Sequence, residues 1–179
     1  HTAFTADSLV LATGGLSIPK MGATGFAHDA ALRFGLRLIA PRPGLVPLTF
    51  AGADLELMRS LSGVSLDTEV SLGRQRFREA MLFTHRGLSG PAILQISSYW
   101  RDGRITVNLL PDLEAAAFLL ERKRSRPKAE LRSVLAEVMP HRLAQALASR
   151  VQAQSDGPAA VAGATRLADM RDQVLRDFA

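Results

Sequence analysis

Four stretches of this sequence hold residue types that carry chemistry. Ala12-Thr13-Gly14-Gly15 follows the apolar run Ser8-Leu9-Val10-Leu11. Two glycines at the end of a strand let the backbone come close to a bulky cofactor, and such ligands lie along the carboxyl edge of a parallel sheet. The same residues also make an ordinary tight turn, so spacing alone leaves both readings open. Gly22-Ala23-Thr24-Gly25 comes just before an apolar helical stripe. It places backbone N–H donors at a helix start, where a phosphate or a polarised ring carbonyl is favoured; the plain alternative is Thr24 as a cap. No G-x-G-x-x-G occurs, so the first phosphate-binding turn of a dinucleotide fold is missing from the sequence.

The third stretch, Leu82-Phe83-Thr84-His85-Arg86-Gly87-Leu88-Ser89-Gly90-Pro91, reads as a polar, glycine-rich loop feeding a helix. His85 is the candidate catalytic residue, as a general base or as a hydrogen-bond donor to substrate, with Ser89 four positions on. A Ser–His nucleophile also needs an orienting carboxylate and an oxyanion hole, which the sequence does not identify, so hydrolysis is set aside. The bland reading is that His85 and Ser89 tie down the loop and cap the helix. The fourth stretch is basic: Arg122-Lys123-Arg124-Ser125-Arg126-Pro127-Lys128, then Arg132. It has the charge to meet nucleic-acid phosphates, but no aromatic residue is interleaved for stacking. Such a run reads first as a solvated helix end that complements the helix dipole. Nucleic acid is therefore not the expected partner, and a basic helical module that binds nucleic acid or protein is kept as the alternative.

The elements that hold these residues change character along the chain. Ser8–Ala12 has the pattern of a strand buried on both faces, Phe26 to Phe34 that of an amphipathic helix ended by Gly35, and Leu36–Ile39 that of a second strand. Pro41, Pro43 and Gly44 mark a boundary. From Leu45 to Leu110 the period moves towards two, with a strand at Thr68–Leu72, a turn at Gly73, a continuation through Thr84 and a returning strand at Ile105–Leu110. Pro91 sits well in the first turn of a helix, with Ser89 or Gly90 as cap. After Pro111 the pattern is helical: Leu113–Arg124 with Asp112 as cap, Pro127 to Met139, Pro140 to about Gln152, a break at Gly157-Pro158, and a last helix around Leu167 to Phe178. The fold class expected is mixed α+β: a partial α/β segment over 1–40, a β-rich barrel-like unit over 41–111 and an α-helical subdomain over 112–179.

Composition narrows the function classes. At 179 residues, 47% hydrophobic and 22% charged, the chain has the makeup of a soluble globular protein. No run approaches the length of a membrane span. With no cysteine and four scattered histidines, neither a disulfide nor a metal site is expected. A cytoplasmic location follows as the default expectation. The net charge of +5 is concentrated between Glu121 and Arg150, where eight Lys and Arg stand against three Glu. The His1-Thr2-Ala3 start has neither an initiator methionine nor a signal-peptide pattern, so the chain is expected to begin inside a longer gene.

In order along the chain, Leu9 to Pro19, Gly22 to Gly25, Pro43 to Leu48 and Glu79 to Ser98 resemble the bacterial NAD(P)/FAD-dependent oxidoreductases of the BaiN-like flavoprotein family. The resemblance is strong from Ala6 to Leu110 and rests on position and character beyond. It implies that a long insert, part β-barrel-like and part helical, interrupts an FAD domain, so that this chain is an internal fragment. It further implies that Ala12, Thr13, Gly14 and Gly15 run beside FAD and that Gly22, Thr24 and Gly25 approach the flavin. The parent's cofactor is then FAD, with NAD(P)H as a further partner and an unspecified small-molecule substrate. The isolated fragment is expected to lack cofactor and activity and to have surface that favours self-association. Related succinate-dehydrogenase-like flavoproteins follow the loop with Thr-Gly-Asp-Gly. Here Thr24-Gly25-Phe26-Ala27 lacks the acidic residue, and Asp29 is a doubtful replacement.

Overall fold

The computed structural model describes residues 5–155 and 166–179. The chain divides into two compact units, His1–Arg42 and Pro43–Ala179. It is a mixed α+β protein, as the patterning predicts.

In the first unit the helix forms where its stripe predicts, as α1, Phe26–Arg33. It ends in a Schellman motif: Gly35, at φ 73°, donates its N–H to Leu32, and Leu36 donates to Ala31. The two expected strands, Ser8–Ala12 and Leu36–Ile39, are not formed. An apolar run becomes a strand only where neighbours take its N–H and C=O groups and cover both faces, and residues 8–17 make no backbone hydrogen bond to any described residue. None of residues 5–42 is buried.

The second unit is built on an antiparallel sheet curled into a half-barrel. Its elements are β1 (Leu48–Thr49), α2 (Gly52–Ser60), β2 (Ser65–Leu72), β3 (Gln75–Thr84), β4 (Gly87–Ser89), α3 (Pro91–Ser97) and β5 (Thr106–Asn108), in the spatial order β1-β4-β3-β2-β5. The hairpin β2–β3 turns through Gly73-Arg74, with Leu72 opposite Gln75 and Ser65 opposite Leu82. Alternation puts Leu66, Thr68, Val70 and Leu72 on one face of β2, where they meet Phe77, Met81 and Phe83 of β3. Ala92, Ile93 and Ile96 of α3 fill that face. The fully buried Thr68 hydroxyl donates to the Glu79 carbonyl, which satisfies the polar atom in this core. Helix α2 lies in the stretch that the period-two pattern assigns to strands; it forms because Leu57, Met58 and Leu61 recur at helical spacing and bury against the sheet.

Four helices follow: α4 (Ala115–Ser125), α5 (Leu131–Leu135), α6 (His141–Ser155) and α7 (Asp172–Phe178). Asp112, expected to cap α4, does not. Glu114 does, its carboxylate accepting from Ala117 N–H at 2.6 Å, while Asp112 is held by Arg78 of β3. The helix expected from Pro127 to Met139 shortens to α5. Residues 127–130 instead pair with the returning chain, Leu167 donating to Ala129 O and Ala168 to Pro127 O. The expected break at Gly157-Pro158 lies outside the described residues. Leu119, Leu131, Val134, Leu135, Leu167 and Leu175 make a second core. On α6, Leu143 packs into the sheet core and its neighbour Ala144 into the helical one, while Leu147 of α6 and Met139 just before it touch both. Arg142 fastens this wall to the end of α2 by donating to Ser62 O at 3.2 Å and to Ser60 O.

Candidate functional site

Of the residues read as cofactor-binding, Ala12, Thr13, Gly14, Gly15, Gly22 and Thr24 are exposed and Gly25 is half-buried. Gly14 and Gly22 have left-handed φ values of 72° and 91°. A Cβ at Gly14, Gly15 or Gly22 would meet nothing within 4 Å, and at Gly25 only Leu16 Cδ2 at 3.9 Å. Four glycines therefore present open backbone on their own unit. The Thr24 hydroxyl lies 3.5 Å from Phe26 N–H, at the limit of a cap, and the N-cap position belongs to Gly25. Asp29 is exposed in the first turn of α1.

His85 lies in the second unit, at the tip of the β3–β4 connection. That stretch is no loop but a tight hairpin: Leu82 pairs with Ser89, Phe83 with Leu88 and Thr84 with Gly87. The turn is held by Thr84, whose hydroxyl donates to Gly87 O at 3.1 Å and accepts from Arg86 N–H at 3.3 Å. Phe50 N–H donates to Arg86 O from the β1 side. Among the described residues, neither His85 nor Ser89 makes a side-chain hydrogen bond, so neither ties the turn nor caps α3; backbone Gly90 is the cap. His85 is exposed, with its imidazole at the hairpin tip.

The glycines of this stretch have a packing explanation. A Cβ on Gly87 would sit 2.1 Å from Leu48 O and 2.8 Å from Phe50 Cδ2; one on Gly90 would sit 2.7 Å from Ala80 O. Both have positive φ, 148° and 92°. β1, paired alongside β4, closes on Gly87, and the backbone of β3 closes on Gly90. The buried side chains of Phe83, Leu88, Ala92, Ile93 and Ile96 complete a segment in which backbone approach and core are made by the same residues.

The basic run is held by carboxylates. Arg122 bonds Glu137 at 2.9 Å and Glu121 at 2.6 Å, Arg126 bonds Glu137, and Lys123 bonds Asp172 at 2.6 Å and the Met170 carbonyl. Arg126 and Arg122 together hold the Glu137 carboxyl below its usual range, and Lys123 does the same for Asp172. In β3, Arg78 lies between Asp112 and Asp67, and its guanidinium holds the Asp112 carboxyl low. These pairs join the end of α4 to the turn after α5 and to α7, and β3 to the Pro111–Asp112 link. Arg124 and Lys128 are left without an ion pair among the described residues.

A cavity of about 550 Å³ opens between β5 and the helices, lined by Asn108, Leu110, Phe118, Met139, Leu147 and Phe178. It is mostly apolar, and its carboxylate Glu114 serves α4 as cap. No cluster of three metal-ligating side chains occurs among the described residues, and none of their helices is long and apolar enough to cross a membrane. The reading of the sequence missed one grouping. The chain's single tyrosine and single tryptophan, Tyr99 and Trp100, are adjacent and exposed beside Arg101. The signal was there as Tyr-Trp-Arg between a helix and a strand.

The sequence profile of the HI0933-like protein barrel and H2TH domain matches residues 42–175. The chain belongs to the HI0933-like family. The matched range takes in the curled sheet and helices α4 to α6. Residues 12–25 lie outside the matched range. Two curated relatives are both named ribosomal RNA dihydrouridine synthase. The one from Escherichia coli (strain K12) is 46% identical over 143 residues, 79% of this chain and 36% of its own. The one from Haemophilus influenzae (strain ATCC 51907 / DSM 11121 / KW20 / Rd) is 40% identical over 146 residues, 80% of this chain and 36% of its own. The chain thus spans about a third of the length of these relatives. The HI0933-like family is flavoprotein-related, which supports the flavoprotein reading at that level.

Proposed function

We propose that this chain is the insert, with an adjoining strip of the flavin domain, of an FAD-dependent enzyme that reduces uridine in ribosomal RNA to dihydrouridine at the expense of NAD(P)H. The observation that carries the reading is the 46% identity, across most of this chain, to a protein named for that product. The division into 1–40 as flavin-domain strip, 41–111 as barrel-like unit and 112–179 as helical unit belongs to the proposal. So does the choice of FAD over other flavins.

The residues present suit the cofactor. Ala12–Gly15 offer unbonded backbone N–H and C=O groups, and Gly14, Gly15 and Gly22 carry no side chain that would bar a ring or a pyrophosphate. Gly22, Thr24 and Gly25 would line the approach to the ring. Saturating the C5–C6 bond of uracil takes a hydride at one carbon and a proton at the other; flavin, once bound and reduced by NAD(P)H, would supply the hydride, and the proton would be drawn from solvent through His85. The chain's own contribution is to position the base and exclude water. His85 is the candidate for a hydrogen bond to the base, on a hairpin tip that Thr84 and the Phe50–Arg86 bond keep rigid. RNA therefore enters as substrate, by a route independent of the basic run.

The test uses the full-length protein. Its flavin bands are recorded, and it is incubated with NAD(P)H and unmodified ribosomal RNA. The digested nucleosides are then weighed for the mass of two added hydrogens. We expect a yellow protein and dihydrouridine. Gly14→Ala should lower flavin retention, whereas His85→Ala should retain flavin and slow product formation by roughly 10²-fold, the usual scale of one positioned proton-handling group. A colourless protein that takes up no flavin, or a yellow one that leaves uridine unchanged, overturns the proposal.

A further inference from the structure

Free positive charge and exposed aromatic rings meet at the end of the half-barrel that carries the Gly73-Arg74 turn. The connection from α3 to β5, residues 98–105, returns beside that turn: Thr106 pairs with Ser71, and Gly103 stands over Leu72, its Cβ position 4.0 Å from Leu72 Cδ1. Tyr99 and Trp100 are 52% and 42% exposed, although large aromatic rings are usually covered. Neither ring is loose. Tyr99 lies against Phe77 of β3, centroids 5.6 Å apart, and the Trp100 indole N–H donates to Gly103 O at 3.0 Å. Arg101 is exposed and clamped through one guanidinium nitrogen to the Ser98 and Trp100 carbonyls at 3.3 and 3.0 Å. Arg74 and Arg104 are exposed and have no ion pair among the described residues, while Arg76 pairs with Glu69 at 3.0 Å. Four arginines share this end with the carboxylates Glu69 and Asp102, and here, unlike on the helical basic run, the cations stand beside exposed aromatic rings.

We infer that Tyr99 and Trp100, flanked by Arg74, Arg101 and Arg104, form a stacking platform for unpaired RNA, holding nucleotides that flank the target uridine. The inference rests on the RNA substrate proposed above and gives it a place on the chain. An enzyme that works on a base must take it out of its stack, and the displaced neighbours are stabilised by aromatic faces with cations at their phosphates. Rings fixed by their own hydrogen bonds and contacts pay less ordering cost on binding. The occupant is a single strand: an apolar protein partner would not call for three exposed guanidinium groups around two rings.

Trp100, the chain's one tryptophan, reports directly on this surface. We expect a short single-stranded oligouridine to quench its fluorescence. With three cations at phosphates, the association constant should fall roughly twentyfold between about 50 and 200 mM salt, and only roughly threefold in Arg74→Ala/Arg104→Ala, where one remains. Tyr99→Ala, read with end-labelled RNA, should weaken binding by about five- to a hundredfold. Arg74 and Arg104 lie outside the core, so unchanged thermal melting of their double variant separates loss of binding from loss of fold. The proposal is overturned by absence of quenching, by equal RNA affinity in the double variant, or by a concentration-dependent blue shift without RNA, which would assign the rings to a contact between copies. In the full-length protein, oligouridine binding without dihydrouridine would remove the reaction and leave the platform. Dihydrouridine formed equally by the arginine variants would remove the platform and leave the reaction.

Discussion

Residues 5–42 and the half-barrel have comparable shares of Leu, Ile, Val and Phe, yet one buries nothing and the other has a dense core. In the first unit Val10, Ile39 and Met21 are more than four-fifths exposed, and no strand forms. In the second, Val70 of the β2–β3 ladder and Ile93 and Ile96 of α3 packed on it are fully buried. Apolar content supplies the driving force; a partner surface decides whether it is realised. The half-barrel supplies its own, since β2, β3 and α3 are consecutive or nearly so in sequence. A doubly covered parallel strand depends on neighbours far along the chain.

The sharpest way to break this contrast is through glycines. Gly87→Ala puts a Cβ against Leu48 O, so we expect more than about 4 kcal/mol of destabilisation, or no folding, by urea unfolding followed by circular dichroism. Gly15→Ala, with open space around it and no left-handed φ, should change the same transition by less than about 0.5 kcal/mol. Equal effects would dissolve the distinction between a glycine demanded by packing and one left open. Next in size, Ile93→Ala and Leu131→Ala should each cost about 2–5 kcal/mol, whereas Val10→Ala should be near neutral in the same measurement. Smallest is Glu137. Its carboxyl is depressed in the folded state, chiefly by Arg126, from an ordinary value of 4.5. The stability it lends is therefore present above that value and lost as pH falls through the lower, folded one. Glu137→Gln should cost at most about 1 kcal/mol at neutral pH, as partly exposed ion pairs do, and flatten the loss of stability below about pH 4.5. A variant as steep as wild type in acid would show that Arg122 and Arg126 contribute nothing through this carboxylate.

What could be read in the sequence follows the same division. Alternation in Thr68–Leu72, the turn at Gly73 and the start of α3 at Pro91 were legible because each is specified locally, by period, by a left-handed glycine and by a missing N–H. The strands at Ser8–Ala12 and Leu36–Ile39 carry equally clear patterns and do not form, since pattern encodes burial and not its provider. Asp112 was misread as a cap because Glu114 competes for the helix start and Arg78 competes for Asp112, a choice made by tertiary distance. The Phe83–Pro91 motif was visible as a motif and opaque as to purpose: residue types cannot show that the Leu48 carbonyl of the paired β1 closes on Gly87. Tyr99 and Trp100 were not legible as a site because they lie outside the basic run and an adjacent aromatic pair carries no spacing signal of its own.

The sheet begins and ends in stubs, β1 with two residues and β5 with three. An edge this short leaves too few free N–H and C=O groups to template a strand from another molecule. The same brevity leaves the outer side of β3 before Leu82 without a strand partner among the described residues, and there Arg76, Arg78 and Glu79 set charges along the open edge that disfavour edge-to-edge addition.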